Sequence, residues 1–411
     1  MSVPKILVLL FFTVVLILSV VPRAVKSQGG LVVGSATEAP TGFDNQTNGL
    51  VRQKQFDADR AKFEEREGVA EGLGPVYNAQ ACAECHQNPV TGGISQVTEL
   101  RAGHLDRYGN FVEAPGGSLI QDRAIHTSIQ ERVPESETVR AFRTSLNVLG
   151  DGFVEAIADE TLVAIANDQP ALSKGHIAGQ VMYVPVLEAG GALRVGRFGW
   201  KNQHASLVSF SADAYLNEMG ITSPLQPTEN TSLGHSVAAY DTVPDPDNNG
   251  DDVEAFARFL RATKAPPGDA ALAATTDAQA GFQVFKQIGC NICHVPTIIT
   301  APAGTTINGG TFVVPPALGN RIIHPFSDFL LHDVGTGDGI VQNGDQPTAY
   351  KMRTPPLWGV RTRTRLMHDG ESLTFTDAIL RHGGEAIQVI NSFRSLHDTA
   401  KQRLIVFLKS L

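Results

Sequence analysis

Apolar residues recur at helical spacing in several stretches of the chain, and the pattern predicts a mainly α-helical protein. The predicted helices run from Asp57 to about Val69, from near Asp159, from about Ser206 to Met219, from Asp252 to about Thr263, from near Asp277, and from Asp398 to Leu411. Alternating apolar residues predict short strands at Met182–Val186 and Leu193–Phe198. We expect long loops elsewhere, because the chain contains 40 glycines and 23 prolines.

Glycine spacing also predicts a loop in the forty residues that follow His86. Gly92-Gly93, Gly103, Gly109 and Gly116-Gly117 interrupt this stretch. Further along, Pro266-Pro267-Gly268 ends the helix that begins at Asp252. We place a domain boundary there, which predicts an N-terminal domain at residues 28–265 and a C-terminal domain at residues 266–411.

The first 27 residues resemble a targeting segment. Lys5 precedes an apolar run from Ile6 to Val21, and Arg23 and Lys26 follow it. The pattern is typical of a secretory signal or of an uncleaved anchor, and the short apolar run favours a signal peptide that is removed. We therefore expect a periplasmic protein. The formal net charge of −9 argues against binding to nucleic acid.

All four cysteines belong to two short motifs. Cys82 and Cys85 precede His86, and the same C-x-x-C-H spacing returns at Cys290, Cys293 and His294. This spacing is typical of covalent c-type haem attachment, in which both thiols bind the haem and the histidine binds the iron. A zinc site and a thioredoxin-like redox pair also use C-x-x-C. The adjacent histidine in both copies favours two haems, and export agrees with this chemistry.

Other residues are candidates for a metal site. His104 and His126 could each bind the far side of the first iron, although a surface or hydrogen-bonded role is common for any one histidine. The Asp245–Gly250 segment resembles the first half of a calcium-binding loop, but Phe256 stands where that loop has its glutamate. Calcium and a solvated linker both remain open.

The chain resembles the bacterial di-haem oxidoreductases, which are relatives of the di-haem cytochrome c peroxidases. The resemblance runs from about Gly72 to the C-terminus. It rests on a combination of motifs: Gly196-Arg-Phe-Gly-Trp-Lys, Glu218-Met-Gly-Ile-Thr-Ser-Pro, Leu331-His-Asp-Val-Gly, Thr354-Pro-Pro-Leu-Trp-Gly and Asp377-Ala-Ile-Leu-Arg-His-Gly-Gly-Glu-Ala. It implies two cytochrome c-like haem domains with long loops and a few short strands, and a crossing of the first and last helices of the second domain.

The resemblance also implies roles for individual residues. His104 would be the distal ligand of the first haem, and His382 would be the distal ligand of the second haem, with His368 as its nearest competitor. Glu218 matches the active-site glutamate of the peroxidases, and Trp200 matches a tryptophan between the haems. The glutamine that accompanies this glutamate is not found, and Phe210 stands in its place.

The expected function is reduction of hydrogen peroxide at the first haem, with electrons supplied through the second haem. The expected electron donor is a small redox protein or a quinol-linked donor. Two alternatives remain open: a plain di-haem electron-transfer protein, and an oxidase of a protein or thiol substrate. The sequence also leaves open whether the chain forms a homodimer.

Overall fold

The computed structural model of the protein describes residues 35–411, and the predicted signal peptide at residues 1–27 lies outside the described residues. Ten α-helices form in this part of the chain: α1 (Gln53–Glu64), α2 (Asp151–Glu155), α3 (Asp159–Leu172), α4 (Leu207–Met219), α5 (Asp251–Ala262), α6 (Ala270–Ala273), α7 (Thr276–Gln287), α8 (Phe375–Leu380), α9 (Ile387–Ser395) and α10 (Asp398–Lys409). All six helices predicted from apolar spacing are confirmed, with shifted ends. None of the helices in residues 35–411 is both long and apolar enough to span a bilayer.

Strands are more numerous than the sequence pattern indicated. The described residues form β1 (Thr37–Glu38), β2 (Val76–Tyr77), β3 (Thr98–Leu105), β4 (Phe111–Glu113), β5 (Leu119–Ile120), β6 (Arg123–Ala124), β7 (Val139–Thr144), β8 (Tyr183–Val186), β9 (Ala192–Val195), β10 (Ile298–Ile299), β11 (Thr306–Ile307), β12 (Phe312–Val313), β13 (Arg321–Ile323), β14 (Leu331–His332) and β15 (Met352–Arg353). The two predicted strands correspond to β8 and β9, which pair as a hairpin. Helix accounts for 34% and strand for 16%, so helices predominate.

The prediction of a loop after the first C-x-x-C-H motif is wrong, because this segment contributes strands to the largest sheet in residues 35–411. Strand β3 pairs with β4, β5 and β7, all antiparallel. Gly103 lies inside β3, and a Cβ there would come within 2.4 Å of the Phe111 ring. Gly103 therefore allows β3 and β4 to approach each other closely within the sheet, and it does not form a turn.

Helices α1 and α5 pack together through aromatic residues. The Phe63 ring lies 4.9 Å from Phe259 and 6.1 Å from Phe256, centroid to centroid. The Asp59 and Arg258 side chains form an ion pair of 2.6 Å beside them. Because α1 leads towards the first motif, this packing positions the chain that carries His86.

Helices α7 and α10, which the resemblance implied would cross, pack in close contact. The apolar face of α10 packs on α7, and the Phe407 ring lies 5.1 Å from Phe282 and 5.3 Å from Phe285. A Cβ on Gly281 would lie 2.0 Å from the Arg403 carbonyl oxygen. The glycine thus permits the close contact of the two helices.

The main hydrophobic core contains residues from both sides of the predicted domain boundary. Phe153, Phe259 and Leu207 pack in the same core as Phe329 and Trp358. Strand β1 also pairs in parallel with β13, although the two strands are far apart in the sequence. Ser35–Leu411 form one compact unit. The division into domains at residues 28–265 and 266–411 stays a prediction.

Candidate functional site

The first C-x-x-C-H motif forms a short 3-10 helix at Cys82–Glu84. The turn brings the His86 amide within 3.1 Å of the Cys82 carbonyl, so the histidine and both thiols lie close together. The His86 Nδ1 lies 3.4 Å from the Gly93 carbonyl oxygen, and the Phe63 ring packs 6.2 Å from the imidazole ring. With Nδ1 donating to a carbonyl, Nε2 is the nitrogen left to bind a metal.

The second motif repeats this geometry. Helix α7 ends before Gly289, whose φ of 97° turns the chain into a 3-10 helix at Cys290–Ile292. The His294 Nδ1 lies 3.0 Å from the Phe326 carbonyl oxygen. The Phe285 ring lies 6.3 Å from the imidazole, matching the aromatic contact in the first motif.

Two separate cavities surround the two motifs. Cys82 and Cys85 line the first cavity, and Cys290 and Cys293 line the second. The four thiols therefore cannot converge on one zinc ion. Burial raises the pKa of Cys82, Cys85 and Cys290 to about 12, which disfavours the thiolate that a redox pair requires.

His382 lies opposite His294 in the second cavity. Their ring centroids are 6.5 Å apart, close to the roughly 6 Å expected when two imidazole nitrogens each bind one metal at about 2 Å. The His382 Nδ1 lies 2.7 Å from the Ala378 carbonyl oxygen, so its Nε2 is free for a metal. Burial lowers the pKa of both histidines, that of His294 to about 4, which favours the neutral form that a metal requires.

The structure does not bring His104 or His126 to the first cavity. The alternation along β3 puts His104 on the opposite face from Glu99 and Arg101, which line the cavity. The His104 Nδ1 lies 2.9 Å from the Glu137 carboxylate. His126 is exposed and contacts Ser128 through a hydrogen bond of 2.7 Å. Among the described residues, His86 is the only histidine that lines the first cavity.

Glu218 lies in the wall of the first cavity, near the end of α4. The Asn78 amide donates a hydrogen bond of 2.8 Å to its carboxyl group. Burial, followed by the negative charge of Glu99, raises the pKa of Glu218 to about 8. A carboxyl group with this pKa carries a proton at neutral pH and is suited to acid-base chemistry.

Glu99 and Arg101 were missed by sequence reasoning because their segment was predicted to be a loop. They occupy alternate positions of β3, and Arg101 donates to the Glu99 carboxylate at 2.8 Å. The alternation of polar and apolar residues from Glu99 to Ala102 is the signal that could have indicated a strand.

One residue of α4 differs from the expected peroxidase pattern, because Phe210 stands where the peroxidases have a glutamine. Phe210 lines the first cavity and stacks on Phe198 at 5.9 Å. Gln203 lines the same cavity, and its side-chain oxygen accepts a hydrogen bond of 3.0 Å from the Lys201 amide. A glutamine is therefore present in this cavity, supplied by the turn after Trp200.

Trp200 lines both cavities. Its indole N–H donates a hydrogen bond of 2.8 Å to the Thr144 carbonyl oxygen, which fixes the ring. On the side of the second cavity, the ring makes an edge contact with His368 at 6.1 Å. His368 therefore lies at the tryptophan, whereas His382 faces His294.

A buried ion cluster at the second cavity was also missed. The His332 imidazole lies 2.8 Å from Asp328 and 2.9 Å from Glu385, measured between the nearest nitrogen and oxygen atoms. Burial opposes a charge on the ring, but Asp328 holds the pKa of His332 well above its usual value. The two neighbouring carboxylates thus favour the protonated form of His332.

The charged lining of both cavities suits the proposed haem groups, because each haem carries two carboxylates. Arg143 lines the first cavity and Arg363 lines the second, and each has one buried guanidinium nitrogen with no partner in the described residues. Buried cations with unused donors fit anionic substituents. His86 and His294 would supply the iron ligands, and the cysteine pairs lie beside them.

The predicted calcium loop holds its carboxylates close to a second acidic segment. The Thr222 hydroxyl donates a hydrogen bond of 2.6 Å to Asp245, and the Thr222 backbone amide donates one of 2.9 Å to Asp247. Carboxylate oxygens of Glu229, Asp241 and Asp245 lie within 4.8 Å of one another.

Comparisons with known proteins agree with this chemistry. A family model described as "Di-haem oxidoreductase, putative peroxidase" matches residues 118–411. Two solved structures are similar at low identity: hydrazine synthase of Kuenenia stuttgartiensis pressurised with xenon (14% identity, 95% of this chain and 99% of that chain, TM-score 0.40) and a MauG-like protein associated with microbial copper homeostasis (13% identity, 94% and 95%, TM-score 0.41). No curated protein matches the chain. Since the family model covers most of its length, the chain belongs to the di-haem oxidoreductase family.

Proposed function

We propose that this oxidoreductase reduces hydrogen peroxide at the haem held by His86, with electrons passed from the haem held by His294. The overall reaction takes up two electrons and two protons and converts one hydrogen peroxide into two water molecules. When bound, the two haems supply an iron that can bind peroxide and a store for the electrons.

The observation that carries the proposal is the asymmetry of the two cavities. The second cavity offers two facing histidines, His294 and His382, which suits a haem that only transfers electrons. The first cavity offers His86 alone among the described histidines, and acid-base residues line its wall. An electron-transfer protein with both haems doubly ligated by the chain would not require this difference.

Glu218 is the candidate catalytic acid and base. Its raised pKa keeps a proton on the carboxyl group at neutral pH, at a cavity wall where substrate can reach it. Asn78 orients the group through the hydrogen bond to one carboxyl oxygen. Glu218 can therefore give a proton to the leaving oxygen of peroxide and recover it afterwards.

Trp200 is the candidate route for electrons between the cavities. Its ring lines both of them, and the hydrogen bond to Thr144 holds it in one orientation. A fixed aromatic ring between two redox groups needs little rearrangement when charge passes.

The remaining parts of the proposal concern attachment, location and partners. We propose that both haems are attached covalently through their cysteine pairs and that the protein is exported to the periplasm. A small redox protein or a quinol-linked donor would reduce the second haem. Calcium at the acidic cluster around Asp245 and assembly into a homodimer are left as expectations.

The decisive experiment mixes the half-reduced, haem-loaded protein with hydrogen peroxide and follows peroxide loss and haem oxidation by stopped-flow spectroscopy. We expect wild type to consume peroxide with two electrons per molecule. Glu218→Gln should lose on the order of 100-fold in rate or more, because one positioned acid-base group contributes about that much. Its haem spectra should remain unchanged.

The matched control is Glu254→Gln, which removes an exposed carboxylate from neighbouring α5. This variant should behave as wild type. If the half-reduced wild type does not react with peroxide, the electron-transfer or substrate-oxidase alternative holds. If Glu218→Gln turns over normally, Glu218 is not the catalytic acid.

A further inference from the structure

Two carboxyl groups meet at the wall of the first cavity. The Glu99 and Glu218 carboxyl groups both line the cavity and lie close enough to share a hydrogen bond. A hydrogen bond between two carboxyl groups needs a proton on one of them, since two carboxylates have no donor. Two like charges in one buried site also repel, so the pair holds one proton.

The neighbours decide which group carries the proton. Arg101 donates to both oxygens of Glu99, at 2.8 and 3.3 Å. Arg143 is the direct cross-strand neighbour of Glu99 on β7, and its guanidinium lies 3.7 Å from the same carboxylate. Burial alone would raise the pKa of Glu99, but these two cations hold it below its usual value.

Glu218 lacks a comparable cation. Its hydrogen-bond partners are the neutral Asn78 amide and the Glu99 carboxyl group. Arg101 acts on it at longer range, and its positive charge is directed to Glu99. The proton therefore resides on Glu218.

Other charged groups around the pair are already matched. On α4, Asp213 is paired with His204 at 3.0 Å. Arg143 is also paired with Asp338 at 2.7 Å. Glu84, beside the first motif, is paired with Arg66. None of these groups offers the Glu218 carboxyl a competing ion pair.

We propose that Glu99 is a positioning residue which, held ionised by Arg101 and Arg143, keeps the proton on Glu218 ready for use in the first cavity. This inference rests on the proposed function, in which Glu218 is the catalytic acid. Glu99 itself acts through Glu218, which makes peroxide turnover sensitive to a residue on a different element.

The test is an infrared titration of the haem-loaded protein that follows the C=O band of a protonated carboxyl group. The band that Glu218→Gln removes should persist in wild type until about pH 8, in agreement with the raised pKa of Glu218. In Glu99→Gln the midpoint should fall by about one pH unit or more, because a like charge is removed and two cations are released. The alkaline limb of the peroxide rate should shift in the same direction.

The matched control is Glu113→Gln, which removes one exposed carboxylate from β4 of the same sheet. Its midpoint should equal that of wild type. An unchanged midpoint in Glu99→Gln overturns the proposal, and so does a wild-type spectrum without a band that Glu218→Gln removes. The comparison of the wild-type spectrum with the Glu218→Gln spectrum does not depend on whether Glu99→Gln folds.

The two levels of the hypothesis fail differently. If the bands behave as expected but wild type does not reduce peroxide, the carboxyl pair stands and the proposed function fails. If wild type reduces peroxide and the midpoint in Glu99→Gln does not move, only the role of Glu99 fails.

Discussion

The imidazole ring centroids of His294 and His382 lie 6.5 Å apart, although His294 follows the 3-10 helix Cys290–Ile292 and His382 follows α8. Both rings use Nδ1 to contact a backbone carbonyl oxygen, at 3.0 and 2.7 Å. Each ring is thus held with Nε2 directed away from the backbone contact. Two histidines held in this way can bind one metal without a rearrangement of either ring.

The first prediction concerns this pair. His382→Ala should change the second haem from a low-spin to a high-spin ferric spectrum, because one strong axial ligand is lost. Visible and electron paramagnetic resonance spectra of the ferric protein measure the change. His397→Ala is the control, since His397 is exposed at the start of α10. An unchanged spectrum, or a methionine-sulfur band from this haem, would contradict the assignment.

The second prediction concerns haem attachment. Intact mass and haem staining after denaturing electrophoresis should show two haems per chain. The double variant Cys290→Ala with Cys293→Ala should retain one haem, and so should Cys82→Ala with Cys85→Ala, because each pair lines its own cavity. The two double variants are controls for each other. A wild-type mass with fewer than two haems would refute the hypothesis.

The third prediction concerns Trp200. Trp200→Phe should slow electron transfer between the haems by about tenfold or more, equivalent to a barrier increase of roughly 1.4 kcal/mol, because the larger ring and its N–H contact to Thr144 are lost. Stopped-flow oxidation of the second haem by peroxide measures this rate. Trp358→Phe is the matched control, as Trp358 is buried in the main core and lines neither cavity. Equal rates in the two variants would exclude a specific role for Trp200.

The fourth prediction concerns the crossing of α7 and α10. Gly281→Val should destabilise the protein by about 1–3 kcal/mol, since overpacking at a tight contact costs this much. A side chain there would collide with the Arg403 carbonyl oxygen. Thermal unfolding monitored by circular dichroism measures the loss. The control Gln279→Val places the same side chain at an exposed position of α7 and should cost much less.

Local patterns in the sequence determined the helices and the haem-binding motifs. Helix α4, for example, follows from apolar spacing and from Ser206, whose side chain accepts hydrogen bonds from the Val208 and Ser209 amides. The C-x-x-C-H motifs are equally local, because the thiols and the histidine must lie within one turn to reach the same cofactor. The resemblance then added Glu218, which lines the first cavity, and Trp200, which lines both cavities; their roles stay predictions.

Only the tertiary structure decided which residues share a cavity. His104 and Glu99 lie on the same strand, yet they point to opposite faces, and a segment predicted to be a loop has no defined faces. Glu99 on β3 and Glu218 on α4 meet because both elements contribute to the wall of the first cavity, and no local pattern encodes a contact between such distant segments. The positive charges of Arg101 and Arg143 beside Glu99 then place the proton on Glu218 in our proposal. The chemistry of the first cavity is therefore a property of packing, whereas the presence of two haem-binding motifs is a property of the sequence.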